Sequence, residues 1–591
     1  MPSTPTLGFG CMRLSTAAER NDTRGVDVIH AALDAGATLL DTADAYCHDE
    51  RDTGHNERLI AEALRTWTGD RSTITVATKG GIRRASGAWV PDGRAKHLRD
   101  ACDASLRALG VERIDLYQLH AVDPKTEIET SVRALATAQK QGKIRDIGLC
   151  NVTVAQIERA RVIATIASVQ VSLSVFDDEN LRNGVAEYCR DQGIRVIAHR
   201  PLGGDRVKQL ARDPVLSAIA AKYAATPADV VLAWLMSFGV TPIPGATRVE
   251  TARSLGRAPS LVLVDGDRTA LDARFSGRLL RVPRAERRPR RANTGDVVIV
   301  MGMPGAGKTT LARALEADGY DRLNRDALGG SLADLVARLD VALASRRTRV
   351  VLDNTYATRA ARNDVIETAW ARGMDVRCVW LDTALPDAQI NAIERMLAVH
   401  GTLPSPADIR AASARDPRYL GPDAQFRYER TLEPPTLDEG FVEIDRRAFH
   451  RAPSSGEARA LILDVDDLLA EGEPIANHLE KLVERHAQGW HLFAHAWRPG
   501  VARAKIDAAF ARLREAIGVE ISLVACEHEA GPPVCWCRKP IPGPAIEFAR
   551  RHGVDLCRSL VVGRSAADRT LAERIGAAFA SSESFFRPTS H

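Results

Sequence analysis

Short β-rich apolar runs recur along the first 250 residues, with helical stretches between them: 7–12, 37–43, 74–79, 115–120, 144–151, 168–174, 194–201 and 241–246. Eight strands alternating with helices over this length predict a (β/α)₈ barrel, here given residues 1–280. The pattern then changes. A strand at 296–300 ("DVVIV") runs into a glycine-rich loop and a helix ("TTLARALEA"), and later strands end at "RLN" and "RVVLD". This predicts a P-loop kinase α/β domain over 296–450. A last strand, "RALILD", opens a Rossmannoid α/β domain over 457–591. The fold class is therefore α/β multidomain, and 591 residues suit about three or four domains.

With 45% apolar and 26% charged residues the chain is of ordinary globular composition. A net charge of +4 over this length excludes bulk charge as a reason to bind nucleic acid, so any such site must be local. Of ten cysteines, seven lie singly among apolar residues, as reduced thiols do. The N-terminus shows neither a basic n-region nor an apolar h-region, and no apolar run approaches a membrane span. A cytoplasmic protein with no membrane partner is expected.

In a barrel, polar residues at C-terminal strand ends are the candidates for chemistry. Those ends carry Asp41, Tyr46, Lys79 and His120. A tyrosine acts as general acid when an ammonium lies beside it, and a carboxylate can hold that ammonium. "DTADAY", "TKGG", "LH", "GLCN", "RPLGG" and "IPGATR" together resemble the aldo-keto reductases over residues 5–270. The resemblance implies a catalytic tetrad of these four residues, with Tyr46 protonating the carbonyl oxygen. It also implies an NADP(H) site at Asn151, Gln170, Pro201, Leu202 and Gly203, with Arg248 meeting the 2′-phosphate. Two positions depart from the family: His199 stands where an aromatic residue is common, and the Glu-Asn pair after "IPGA" is absent.

Residues 278–293, "RLLRVPRAERRPRRAN", hold seven arginines and one acidic residue. A solvated Arg-rich linker, assigned to 281–295, is the plain reading. A basic strap along a nucleic-acid path is the other.

"GMPGAGKTT" matches the Walker pattern at Gly302, Gly307, Lys308 and Thr309, in the strand–loop–helix context the motif requires. Gly302, Gly305, Gly307, Lys308, Thr309 and Thr310 are expected to bind ATP. Lys308 would reach the β/γ oxygens and Thr309 would ligand Mg²⁺. Asp326 follows a short strand as a candidate base, and Arg395 sits on a helix that can close over the transferring phosphoryl group. "NRD" and, loosely, "DNT" resemble the 5′-kinase domain of polynucleotide kinase-phosphatases over about 296–430. Gly329 replaces an arginine expected three residues after the base.

"LDVDD" places Asp464 and Asp466 in D-x-D spacing at a strand end, where one carboxylate can be nucleophile and the other acid/base. This resembles the haloacid dehalogenase phosphatases, with Arg498 and Lys539 at phosphate-binding positions. Ala496 stands where Ser/Thr is expected, and Arg564 replaces a metal-binding carboxylate. Asp568 is close in sequence. Arg564 is expected to pair with Asp464, and the domain to be an impaired or repurposed phosphatase. Cys526, His528, Cys535 and Cys537 offer four soft ligands for a closed, structural Zn²⁺ site. The C-x-H…C-x-C-R-K-P arrangement resembles that of histidinol-phosphate and heptose-bisphosphate phosphatases.

These readings imply a nucleic-acid end-healing enzyme that phosphorylates 5′-OH ends. RNA is preferred by analogy with bacterial end repair, and an RNA ligase is the partner class. A metabolic enzyme combining NADPH-dependent carbonyl reduction with small-molecule phosphorylation is the alternative, and a scaffold whose barrel binds without turnover is the third.

Overall fold

The computed structural model describes residues 7–289, 295–345, 347–412, 416, 419–451, 456–470, 472–529 and 535–587. The chain divides into two compact units. One holds residues 1–288 with 359–363, and the other holds 289–358 with 364–591.

The first unit contains all eight expected strands: β1 (Gly8–Gly10), β2 (Leu39–Asp41), β3 (Thr75–Gly80), β4 (Ile114–Leu119), β5 (Ile144–Cys150), β6 (Ile166–Ser172), β7 (Arg195–His199) and β8 (Thr241–Ile243). They pair in parallel, in sequence order. The ends meet where the Gly10 amide donates to Pro244 O at 3.0 Å. A Cβ on Gly10 would stand 3.0 Å from Ile243 O, so the seam needs a glycine. Leu39, Ala77, Leu116, Ile197 and Ile243 form an apolar cluster drawn from strands alone. The larger core lies between strands and the surrounding helices. Helix ends carry their own signals, such as the Thr226/Asp229 capping box with Pro227 in the first turn. An antiparallel hairpin, Ile82–Ala85 with Ala88–Pro91, follows β3 and was not expected.

Over its described part the Arg-rich segment stays largely exposed, yet it folds onto the first unit through two of its arginines. Arg278–Arg281 and Arg284–Arg287 are helical turns within the first unit. Arg287, 2% exposed at its side chain, ion-pairs with Glu187 at 3.1 Å, and Arg284 lies 3.5 Å from the same carboxylate. A buried carboxylate needs a cation, which explains why these arginines fold back. Arg290 and Arg291 lie outside the described residues.

The second unit holds two five-stranded parallel sheets. The first, built from β9 (Asp296–Gly302), β10 (Asp321–Asn324), β11 (Arg349–Asp353), β12 (Asp375–Asp382) and β13 (Glu443–Ala448), runs β10-β11-β9-β12-β13. The order reverses at β9, and an open α/β sheet binds its ligands in the crevice at such a switch point. The second sheet, from β14 (Arg459–Asp464), β15 (Trp490–Trp497), β16 (Ile521–Cys526), β17 (Leu560–Gly563) and β18 (Ala578–Ser581), runs β16-β15-β14-β17-β18. Its switch point falls at β14. Residues 296–450 and 457–591 each keep a sheet, yet share an apolar cluster in which Ile393 and Met396 pack with Trp536 and Ile541.

Candidate functional sites

The four barrel residues converge at the C-terminal end of the sheet. Asp41 closes β2, Lys79 lies in β3, Tyr46 follows β2 by five residues and His120 follows β4. Lys79 Nζ donates to Asp41 Oδ2 at 2.7 Å, to Thr42 O at 2.8 Å and to Tyr46 Oη at 3.0 Å. The Tyr46 and His120 rings meet edge to face, 5.5 Å between centroids. All four are buried.

Burial works against the Lys79 charge, but the Asp41 carboxylate and the Tyr46 hydroxyl outweigh it and raise its pKa. Burial raises Tyr46 above the ordinary phenol range, with Lys79 pulling the other way. Burial, then Lys79, holds His120 well below the usual imidazole range. The site therefore pairs a neutral phenol donor with a neutral imidazole, and His120 Nδ1 has no hydrogen-bond partner among the described residues. Such a pair can hold and protonate a carbonyl oxygen.

Of the expected cofactor residues, Gln170 reaches the tetrad itself: its Nε2 donates to Asp41 Oδ1 at 2.6 Å. Asn151 follows β5 in a left-handed conformation (φ 55°), its Oδ1 3.0 Å from His199 Nε2. His199, at the end of β7, is pushed down to about 4 by burial. Pro201, Leu202 and Gly203 follow it, Gly203 at φ 77°. Arg248 is exposed, with no side-chain partner among the described residues. All of these lie at the same end of the barrel as the tetrad. Trp89, on the hairpin, was missed: its ring sits 6.1 Å from Tyr46 and 6.2 Å from His120. A tryptophan shortly after the strand that carries Lys79 was the available signal.

In the second unit the glycine-rich loop links β9 to helix α1 (Lys308–Ala317), at the sheet's switch point. Gly302, Gly305 and Gly307 all take positive φ. At Gly305 (φ 94°) a Cβ would stand 2.4 Å from Ala388 O, so the loop presses on helix α2 (Leu385–His400). Lys308 Nζ donates to Gly302 O and Met303 O, both at 2.9 Å. Burial pushes Lys308 down to about 8, with Asp353 and Asp326 opposing. Thr309 and Thr310 stand exposed in the first turn of α1.

Asp326 lies in the turn Arg325–Leu328 after β10, close enough to bear electrostatically on both Lys308 and Arg395. Arg395 projects from α2, its pKa lowered by burial. Asp353 ends β11 and ion-pairs Arg322 at 2.6 Å. Arg322 was missed, because nothing in the sequence marks one strand arginine as the partner of a buried carboxylate. Lysine, arginine and two carboxylates thus surround one phosphate loop.

The last sheet gathers its charged residues at β14. Asp464 ends that strand and accepts the Asp466 amide at 2.9 Å. Lys539 contacts Asp464 and donates to Asp568 at 2.6 Å. Arg498 pairs with Asp466. Arg564 was expected to pair with Asp464. It contacts Asp467 instead, and donates to Asp466 O at 2.8 Å. Lys539 already occupies the space beside Asp464, and the turn after β14 presents Asp467 to Arg564. Burial raises the Asp464 pKa against the pull of Lys539. Asp568 is also disfavoured by burial, yet Lys539 and Ser565 hold it lowered. Ala496 is buried near the end of β15.

Cys526, His528, Cys535 and Cys537 bring four ligand atoms within 4.8 Å of one another. Cys526 Sγ lies 3.5 Å from His528 Nδ1 and 3.8 Å from Cys535 Sγ, and Cys537 Sγ lies 3.3 Å from His528 Nδ1. Three thiols and an imidazole converging from separate turns fit a tetrahedral metal ion. No disulfide joins any of the ten cysteines, all of which lie among the described residues. No single helix among the described residues is long and apolar enough to cross a membrane.

Residues 6–274 match the aldo/keto reductase family model, and residues 297–402 match an AAA domain model. "Probable aldo-keto reductase 1" of Glycine max is 33% identical over 276 residues, covering 41% of this chain and 78% of that protein. A thermostable aldo-keto reductase in complex with the inhibitor epalrestat is 27% identical, with a TM-score of 0.40 over 45% of this chain and 94% of that one. The aldo-keto reductase from Klebsiella pneumoniae in complex with NADPH is 24% identical, with a TM-score of 0.39 over 46% of this chain and 90% of that one. Through its barrel the chain belongs to the aldo/keto reductase family, and its second unit opens with a P-loop, kinase-like domain.

Proposed function

We propose that this chain is a nucleic-acid end-healing enzyme whose P-loop domain moves the ATP γ-phosphate to a 5′-OH end. The observation that carries the reading is the ring of charge around the phosphate loop: Lys308 with Asp326, Asp353 and Arg395. Asp326 takes the proton of the attacking hydroxyl, and Arg395 offsets charge on the transferring phosphoryl group. Thr309 would hold Mg²⁺, which would offset charge on the phosphates when bound. RNA is the preferred acceptor, and an RNA ligase that seals the phosphorylated end is the expected partner class.

The C-terminal sheet is read as a haloacid dehalogenase-type domain whose phosphatase chemistry is impaired. Its charged residues satisfy one another, and Arg564 sits where a metal-binding carboxylate belongs. The four-ligand cluster beside it is read as structural Zn²⁺, with no ligand position left open for chemistry.

The barrel is read as an NADP(H)-binding reductase. Asn151, Gln170, the Pro201–Gly203 segment and Arg248 lie at the tetrad end, where a nicotinamide supplies hydride when bound. Tyr46 donates a proton to the carbonyl oxygen, His120 orients it, and Lys79 and Asp41 hold the phenol in place. The ordered tetrad also supports a second reading, a metabolic enzyme that reduces a carbonyl and phosphorylates a small alcohol. Incubating the protein with γ-labelled ATP and 5′-OH RNA, 5′-OH DNA or small sugars separates the two. Label entering only sugars would overturn the end-healing assignment.

A further inference from the structure

Trp536 stands between Cys535 and Cys537, so whatever holds those two thiols fixes the backbone on both sides of the indole. Trp536 is 1% exposed. It packs with Ile541 against Ile393 and Met396 of helix α2, and its Nε1–H donates to Leu420 O at 2.7 Å. Leu420 precedes helix α3 (Pro422–Thr431) by two residues.

Helix α2, packed with Trp536, and helix α3, which begins just after Leu420 and packs Phe426 on the same cluster, both touch the phosphate loop. Asn391 of α2 donates from Nδ2 to Gly305 O at 2.9 Å. Gln425 of α3 donates from Nε2 to Pro304 O at 2.8 Å. Helix α2 also carries Arg395. Beside the Lys308 contacts to Gly302 O and Met303 O, these two amide side chains tie the loop to the helices behind it.

We propose that Trp536 is a positioning residue for phosphoryl transfer: with a divalent metal in the Cys526/His528/Cys535/Cys537 cluster, it wedges α2 and α3 so that the phosphate loop and Arg395 face one cleft. The proposal rests on the zinc and kinase readings above. A rigid tetrahedral site locks two successive ligands around one residue, and a packed side chain passes that constraint on because close-packed interiors do not deform freely. Metal loading then reports on the kinase cleft without any ligand shared between the two.

Hydrogen exchange on the full chain tests this, measured with zinc bound and after chelation. Chelation is expected to speed exchange in Leu385–His400 and in residues 302–310 by about tenfold, as a stabilised segment falls to a lower local opening free energy. Trp536→Ala is expected to do the same while metal analysis still finds one zinc per chain. Chelating that variant should add little more in α2, because both changes act through one link. Trp536→Phe, which keeps the apolar fill and loses only the N–H bond, should give a rise of a few fold. Unchanged exchange in α2 on chelation, or independent and additive effects of chelation and Trp536→Ala, would overturn the proposal. A chain that binds no zinc sinks the zinc reading and this proposal together. Failure to phosphorylate any acceptor while the exchange coupling holds sinks the kinase reading and with it the role in phosphoryl transfer, whereas lost coupling in a chain that still transfers phosphate sinks the proposal alone.

Discussion

Lys539 holds Asp568 at 2.6 Å while also contacting Asp464. One ammonium thus serves both carboxylates at the switch point of the last sheet, and Arg564 is committed to Asp467. An aspartyl-phosphate forms only where a metal ion neutralises the nucleophile and the incoming oxygens. Little or no Mg²⁺-dependent 3′-phosphatase activity on RNA or DNA ends is therefore expected. Arg564→Asp should raise Mg²⁺ dependence, and Ala496→Ser added to it should bring measurable turnover. Robust phosphate release by the wild type, abolished by Asp464→Asn, contradicts this.

The phosphate loop has a pH signature. Lys308 is pushed down to about 8, chiefly by burial. Triphosphate oxygens favour its charged form, so binding raises the pKa and takes up a proton when the free enzyme is neutral there. ATP affinity should hold below pH 8 and fall as pH rises through it, by up to about tenfold per pH unit. Calorimetry in buffers of different ionisation enthalpy should show proton uptake at pH 9 and none at pH 6.5; equal uptake at both sinks the idea.

Lys308→Ala and Asp326→Ala should both abolish transfer, by different routes. The first removes charge from the phosphates, at about 10³-fold in kcat. The second removes the base, at about 10²–10⁴-fold, and leaves ATP binding nearly intact. Single-turnover assays on 5′-OH RNA distinguish them, and a largely active Asp326→Ala enzyme would reject the assignment.

In the barrel, Tyr46→Phe should lower carbonyl reduction by about 10²–10⁴-fold and spare cofactor affinity. Because the Tyr46 pKa is raised, reduction should be flat in pH from about 6 to 9, where the phenol stays protonated. Exposed Arg248 should favour NADPH over NADH, and Arg248→Ala should weaken NADPH by about tenfold or more. Equal binding of the two cofactors by the wild type is the contrary result.

One Zn²⁺ per chain should copurify. Cys535→Ser/Cys537→Ser should lose it and destabilise the C-terminal part, since structural zinc contributes on the order of 10 kcal/mol in small domains. Unchanged metal content in that variant, read by metal analysis beside a melting curve, rules the site out.

The order of elements was legible in the sequence because strand and helix periodicity are local. Each of the eight barrel runs became a strand, and "GMPGAGKTT" fell between β9 and α1 as its spacing required. Asp41, Lys79 and His120 could be placed at strand ends by counting, and so could Asp326 and Asp353. Partner choice was not legible, because it depends on which side chains the fold brings together over long sequence separations. Glu187 draws Arg287 out of a stretch that reads as solvated. Arg564 takes Asp467 in place of Asp464, since Lys539 arrives from another turn and fills that space first. Trp536 reads as an ordinary residue in a cysteine-rich loop; only tertiary packing sets its indole against the helix that bears Arg395. Local hydrogen bonding and hydrophobic period select the elements, while desolvation makes each buried charge or indole N–H find whichever partner the finished packing leaves within reach.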